Sequence, residues 1–540
     1  MVGAVVALVV LHAGGAAAKG GAAGPSTTAP PTTTAPPSTT APPTTTAPGT
    51  TTAPATTTAP GGGAAVALAT PVLSVRRVPT FVAASVATEH LDRSLAQILA
   101  NPVLHQGVAQ SCLQVTQDGR TLFSAQPAQE LLPASNLKLF TATAALDKLG
   151  PSSRITTPVD ADRPPVGGVI NGNLYLVGAG DPILRTPDFV ASLLFPEPTH
   201  TSLVQLAAQV RAAGVTRVNG AVVADESRYD AQRGVPTWKP SYLADGEVGP
   251  LSAVDVDDGM ATFGGGGGVP APQPAVEAAI RFQAALRAAG VQVGGPPVTG
   301  ITPPGAFTVT SIDSPLLTNV LGAVLRTSDD TGAELITKEL GRRFGAGGTT
   351  AAGVAVIRDD LTADGLPVGL LHAVDGSGLD RSDRATCPLV VDALTRAGPA
   401  GDLASTLPVA GRTGTLTRRM VNTPATGRVI AKTGTLDDVS ALSGFVLAPG
   451  TPLPTGPAVT TTPTLVPGAP PTTLPAPGPA TYSGSPLIFS LIQNGVPAAT
   501  AGDAIADQIG VALATYPSGP NPATLGPLPP FPTSPSTTPP

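Results

Sequence analysis

The chain of 540 residues is poor in charged residues (12%) and aromatics (3%), and Gly and Pro contribute 62 residues each. A core with so few aromatics must rest on Ala, Val and Leu, and a formal net charge of −6 leaves no basic footprint for nucleic acid. Stretches made only of Pro, Thr, Ser, Ala and Gly cannot bury apolar surface, which leaves roughly 430 residues for a large folded core.

In chain order, residues 1–24 open with an apolar run from Val2 to Leu11, then small residues and a first charge at Lys19. That pattern reads as an export signal, either cleaved or kept as a membrane anchor, although the usual basic stretch before it is missing. Residues 25–63 repeat Thr-Thr-Ala-Pro and read as an extended, polyproline-like spacer. Residues 90–104 place Leu91, Leu95, Ile98 and Leu99 on one helical face. Residues 112–116 and 121–125 read as a hairpin around Gln117-Asp118-Gly119, and 135–149 as a helix between Pro133 and Gly150. The middle, 161–305, mixes short strands near 172–177 and 220–224 with a helix at 203–213 and reads as an inserted region. Strands follow at 427–432 and 441–448, then a Pro/Thr-rich loop at 450–480. A strand at 486–493, a helix at 504–514 and a Pro-rich tail over 516–540 complete the chain. Elements from both ends therefore share one discontinuous domain, 81–160 with 306–515. Cys112 and Cys387 are compatible with one disulfide in an oxidising compartment or with two buried thiols.

Several chemistries lose support at once. The five histidines form no His-Glu-x-x-His pair, and the chain has no Gly-x-Ser-x-Gly elbow and no Walker loop. The glycines at 264–268 lack a following Lys-Ser/Thr and read as a loop. What remains is Ser135-Asn136-Leu137-Lys138: at a helix start, positions i and i+3 share a face, so Lys138 sits beside Ser135. A serine needs a base to become a nucleophile, and a lysine serves when its neutral form is favoured by a helix N-terminus and a second cation. The second element, Lys432-Thr433-Gly434-Thr435, ends an apolar strand and offers a cation, hydroxyls and backbone amides for a developing oxyanion. A near-copy, Arg412-Thr413-Gly414-Thr415, is followed by a helical-looking stretch at 416–420 and has no strand leading into it, so the working motif is assigned to Lys432. The third element is Ser328-Asp329-Asp330 with Ala333-Glu334 behind it, and the fourth is Asp375-Gly376-Ser377-Gly378-Leu379.

In this order the four segments resemble the D-alanyl-D-alanine carboxypeptidase/endopeptidase family, the low-molecular-mass penicillin-binding proteins with a large inserted region. The stretches 174–182 (LYLVGAGDP), 427–436 (GRVIAKTGTL) and 440–444 (SALSG) are similar to the family as well, and the resemblance covers about 85–515 apart from 450–480. It implies an α/β, β-lactamase/transpeptidase-like domain: a five-stranded antiparallel sheet flanked by helices, carrying a mixed or β-rich insertion. It also implies roles. Ser135 attacks the carbonyl between two D-alanines, Lys138 takes its proton, and Ser328 relays protons to the leaving amine. Lys432, Thr433, Gly434 and Thr435 hold the substrate, and the amides of Ser135 and Thr435 form the oxyanion hole. No cofactor or metal is implied. Partners would be peptidoglycan stem peptides, with β-lactams as covalent inhibitors, outside the cytoplasmic membrane.

One position departs from the pattern: Asp330 stands where the family has Asn. An ionised Asp only accepts hydrogen bonds, and beside Lys138 it favours the ammonium and weakens the base, unless it is protonated or turned away. Activity retained but reduced is the expectation; a mere helix-capping role for Asp330 is the plainer alternative. Asp375 and Ser377 read as a tight loop near the site, with either a structural or a direct role, and Gly180-Asp181-Pro182 reads as a turn. Trp238 and Tyr242 could pack on glycan, though local packing is the expectation for Trp238. Two rival readings are a β-lactamase, against which the long insertion argues, and a non-catalytic wall-binding protein, for which Asp330 is the only support.

Overall fold

The computed structural model describes residues 79–105, 110–264, 267–455, 484–518 and 520, all within one compact unit, Thr70–Pro540. The expected signal or anchor, the linker over 25–63, most of the 450–480 loop and most of the tail lie outside the described residues. Among the described residues no helix is long and apolar enough to cross a membrane.

Helix α1 (Pro79–Leu99) buries Ala83, Ala87, Leu91 and Leu95 in one row at four-residue spacing. Strands β1 (Gln110–Gln117) and β2 (Arg120–Ala125) pair around Asp118-Gly119 as expected. The helix expected over 135–149 is split: a 3-10 turn, Ala134–Leu137, carries the serine, and α2 (Lys138–Leu149) begins at the lysine. Lys138 to Ala145 are all buried, which makes α2 a central helix rather than a surface one.

The inserted layer follows. Strands β3 (Thr156–Ala161) and β4 (Leu174–Val177), helix α3 (Leu203–Ala212), strand β5 (Val222–Asp225), helix α4 (Pro274–Ala288), and strands β6 (Val298–Thr299) and β7 (Phe307–Asp313) are its main elements. Its sheet has the order β6-β5-β4-β3-β7, parallel at β4–β5 and β5–β6 and antiparallel elsewhere. Leu206 and Val210 of α3 and Phe282 and Leu286 of α4 share its core with Leu174 and Val222. The expected limits, 161–305, fall inside this layer. Its first and last strands, β3 and β7, pair with each other, so the chain enters and leaves side by side.

The remaining elements are α5 (Leu317–Thr327), α6 (Asp330–Phe344), α7 (Thr350–Ala363), α8 (Cys387–Ala397), β8 (Val429–Leu436), β9 (Val439–Val446), β10 (Leu487–Asn494) and α9 (Ala499–Thr515). The second five-stranded sheet has the order β8-β9-β10-β1-β2 and is antiparallel throughout. Pairing of β10 with β1 joins the two ends of the chain. β8 runs four residues beyond the expected 432, because Lys432 faces Ser443 and Thr435 faces Ser440 in an unbroken register with β9. α9 begins at Ala499 rather than 504. One face of the sheet packs on α2, α5 and α8 through Phe140, Leu321 and Val390. The other packs on α1 and α9 through Leu95 and Ile509. Cys112 of β1 and Cys387 of α8 are joined in a disulfide, which decides between the two alternatives the sequence allowed.

Candidate active site

Ser135 lies in the 3-10 turn that enters α2, next to Ala134, whose φ of 48° is a disfavoured backbone for a residue with a Cβ. Gly378 packs against this turn. A side chain there would collide with the carbonyl of Ala134, and its φ of +88° suits glycine. From the sheet side, a methyl on Gly434 would sit 2.7 Å from the Pro133 carbonyl oxygen, so the edge strand approaches the serine turn backbone to backbone. Asn136 fixes the turn to the sheet, its Nδ2 donating to Ser443 Oγ at 2.9 Å; Ser443 in turn donates to Ser490 at 2.9 Å.

Lys138 is 1% exposed, and its Nζ has three acceptors: Ser135 Oγ at 3.0 Å, Asp330 Oδ1 at 2.5 Å and the Ser377 carbonyl at 2.7 Å. An ammonium fills all three with N–H groups. A neutral amine fits equally well, with two N–H groups on Asp330 and Ser377 and its lone pair turned to the Ser135 hydroxyl. Asp330 therefore faces the lysine and is not turned away. It is also not the helix cap: Asp329 caps α6, accepting from the Gly332 amide at 2.8 Å. Burial raises the Asp330 carboxyl above its ordinary range, and the charge of Lys138 opposes that rise.

Lys432 is fully buried in the middle of β8 and donates to Ser328 Oγ at 2.8 Å and to the Thr433 carbonyl at 2.9 Å. Burial, and then the neighbouring charge of Lys138, lower it well below its ordinary value, with Asp330 opposing. Ser328 closes α5 in a left-handed backbone, φ 61°. Because β8 is an edge strand, half of its backbone groups face away from β9. Ala431 donates its N–H outward, to the Pro408 carbonyl at 3.0 Å. The two-residue period of a strand then places the N–H groups of Thr433 and Thr435 on that same open side. The Thr435 side chain is exposed.

The structure thus gathers Ser135, Lys138, Ser328, Asp330, Lys432, Thr433 and Gly434 into one linked centre, with Thr435 one step further along the strand. It adds residues that sequence reasoning missed. Thr433 Oγ1 donates to Thr415 Oγ1 at 2.8 Å, so the near-copy set aside above contributes a hydroxyl to the site. The expected helix at 416–420 is absent; a short 3-10 turn, Gly414–Leu416, packs against the end of α5 instead. The duplicated Thr-Gly-Thr was the available signal. Glu334, fully buried on α6, accepts from the Gly376 and Ser377 amides, each at 2.8 Å, and so holds the loop whose carbonyl receives Lys138. Burial and then the charge of Asp375 raise Glu334 to about 8. Trp238 is buried, with Nε1 donating to Asp375 at 2.7 Å, which is a packing role. Asp181 accepts from the Ile183 amide at 3.0 Å, as a turn residue does. A cavity of about 280 Å³ opens beside Ser328 and Asp330, walled on its far side by Phe189, Met260 and Phe263 of the inserted layer. Among the described residues, the cluster of carboxylates close enough for an ion is Asp147, Asp360 and Asp364, where α2 ends, and Lys148 and Arg396 already pair with it.

An antiparallel five-stranded sheet, a Ser-x-x-Lys turn opening a buried helix and a Lys-Thr-Gly edge strand together define a serine-type peptidase of the penicillin-recognising class. Residues 91–264 and 268–516 match the family described as D-Ala-D-Ala carboxypeptidase 3 (S13), and the chain belongs to it. It is 31% identical to a D-alanyl-D-alanine carboxypeptidase of Actinomadura sp. (strain R39), over 66% of this chain and 79% of that one. It is 30% identical to carboxypeptidase DacB of Mycolicibacterium smegmatis, over 68% and 79% of the two chains. Its fold is similar to that of penicillin binding protein 4 (dacB) from Haemophilus influenzae, with a TM-score of 0.59, 19% identity and coverage of 78% of this chain and 98% of that one.

Proposed function

We propose that this chain hydrolyses peptidoglycan stem peptides as a D-alanyl-D-alanine carboxypeptidase/endopeptidase, through an acyl-enzyme on Ser135. The observation that carries this reading is the buried Lys138 Nζ, 3.0 Å from Ser135 Oγ. The Lys138 lone pair takes the serine proton as Oγ bonds to the carbonyl carbon of the penultimate D-alanine. Negative charge on the carbonyl oxygen is received by the amides of Ser135 and Thr435. Ser328, held by Lys432, passes a proton to the departing amine as the C–N bond breaks, and water then releases the acyl group by the reverse sequence. Lys432, with the hydroxyls of Thr433 and Thr435, holds a terminal carboxylate where one is present. A β-lactam acylates Ser135 by the same steps and stays, since its opened ring keeps the leaving amine tethered.

The relatives named as carboxypeptidases support this reading, and so does the β-lactam complex solved for the H. influenzae protein. The catalytic domain is 81–160 with 306–515, apart from β3 and β7, which pair within the inserted sheet, and export is carried by the segment 1–24, as a cleaved signal or an anchor, placing the enzyme at the cell wall. Incubation with penicillin followed by intact-mass measurement tests the proposal, together with D-alanine release from a stem pentapeptide. A stable adduct on Ser135 with D-alanine release supports it. A rapidly cleared adduct indicates a β-lactamase, and neither adduct nor release a non-catalytic wall-binding protein. The 2.5 Å Lys138–Asp330 pair favours a second, finer reading: an ionised carboxylate only accepts where an Asn amide would also donate, so the enzyme is active but slower than an Asn-bearing one.

A further inference from the structure

The turn at Gly180-Asp181-Pro182 has no part in the chemistry above, yet it delivers a charge to the catalytic centre. Three residues beyond it, the two-residue strand Leu184–Arg185 pairs with Thr201–Ser202, and the Arg185 side chain is 1% exposed. Its Nη2 donates to Asp329 Oδ2 at 2.6 Å and to Asp258 Oδ1 at 3.1 Å, and its guanidinium lies 5.3 Å from the Phe189 ring. Burial opposes the charge, but the carboxylates of Asp258 and Asp329 outweigh it and hold Arg185 above its ordinary value. Asp329 is the residue between Ser328 and Asp330. One of its oxygens caps α6 and the other is taken by Arg185.

Two further contacts from the inserted layer bracket the same turn. Glu197 accepts from Arg326 Nε at 2.6 Å on one side, and the Gly249 amide donates to Thr331 Oγ1 at 2.7 Å on the other. Ser328 itself has a left-handed backbone that its Cβ disfavours, so the turn depends on what surrounds it.

We propose that Arg185 is a positioning residue for Ser328: by gripping Asp329 it holds the left-handed turn that keeps the Ser328 hydroxyl on Lys432. The inserted region thereby takes part in protonating the leaving group, beyond shaping the cleft. This rests on the reading of Ser328 as the proton relay. Lost positioning should then hurt substrates whose leaving group needs a proton and spare those whose leaving group does not.

The test compares a D-alanyl-D-alanine peptide with the matching D-alanyl thioester, whose thiolate departs unprotonated. It uses the full chain with Arg185→Lys, Asp329→Asn and both together. Arg185→Lys keeps a cation beside Asp258 and Asp329, and Asp329→Asn keeps an oxygen for the α6 cap, so both retain the elements that stabilise the fold. Each single variant should lose about tenfold or more in kcat/KM, which reports acylation, on the amide and less than about threefold on the thioester, with the double variant no worse than the weaker single. Equal losses on the two substrates, or no loss in folded protein, overturn the inference. Unchanged far-ultraviolet circular dichroism and melting temperature establish that the variants are folded. Absence of a penicillin adduct on Ser135 in the unsubstituted chain would instead sink the peptidase reading itself.

Discussion

The two five-stranded sheets of this molecule use the backbone in opposite ways. In the catalytic sheet β1, β8, β9 and β10 are eight residues each, antiparallel and mostly buried on both faces. Paired and packed in this way, β8 holds Lys432 in the interior, with its Nζ on Ser328 and on the Thr433 carbonyl. In the inserted sheet β4 and β5 have four residues and β6 has two, and the parallel pairs are joined by long connections. Those connections carry the charges. Arg185, Arg228 and Asp230 reach across to Asp329, Glu339 and Lys338 on or beside α6. Long strands fix the reacting groups, and short strands deploy loops that grip the helix next to them. The lesson is that polar contact with α6, rather than apolar burial alone, ties the insertion to the site.

The contrast can be broken or sharpened experimentally. The largest expected effect is on the catalytic sheet's own chemistry: Ser135→Ala should abolish the covalent penicillin adduct completely, read by intact mass after prolonged incubation. A residual adduct would relocate the nucleophile.

Next comes Asp330→Asn, whose amide can donate as well as accept beside Lys138; it should raise the second-order acylation rate by about tenfold, about 1.4 kcal/mol off the barrier. Stopped-flow acylation with a chromogenic lactam measures it. A slower variant would refute the attenuating role.

Replacing Cys112 and Cys387 together by Ser releases β1 from α8 and should cost about 2–5 kcal/mol in urea unfolding. The catalytic half is the part expected to loosen, seen as faster amide exchange in β1 and α8 and not in the inserted sheet.

The most gradual effect, spread over several pH units, is at Glu334. Folded, its carboxyl keeps a proton to about pH 8, whereas unfolded it releases it near 4.5. Between those values the folded state binds more protons, so this group's contribution to stability is full below about 4.5 and declines as pH rises to about 8. Glu334→Gln, which keeps an oxygen for the Gly376 and Ser377 amides, should flatten that decline in melting temperature measured from pH 5 to 8.

Much of the catalytic half was legible along the chain. Ser135 and Lys138 are neighbours through helical spacing, and Lys432 to Thr435 end an apolar strand, so local periodicity sufficed for both. Thr415 was misjudged because its partner, Thr433, is brought to it by tertiary packing: no strand leads into its segment, as expected, but the helix expected behind it is a 3-10 turn. Glu334 stands in the third candidate element without a role that spacing could give it; only burial of α6 on nearly every side makes it a clamp on the 375–378 loop. Pairing of β3 with β7, which brings the two ends of the inserted layer side by side, leaves no mark in composition.

By itself the sequence determined the chemical inventory: a histidine-free serine centre, two lysines, an Asp where an Asn is usual, and the order in which they occur. It could do so because nucleophile and base sit within one helical turn, where spacing alone dictates proximity. The tertiary structure decided which way Asp330 faces, that Cys112 meets Cys387, and that Arg185 reaches Asp329. These contacts join residues separated by more than a hundred positions, and whether they form depends on how helices and sheets pack, which no local pattern encodes.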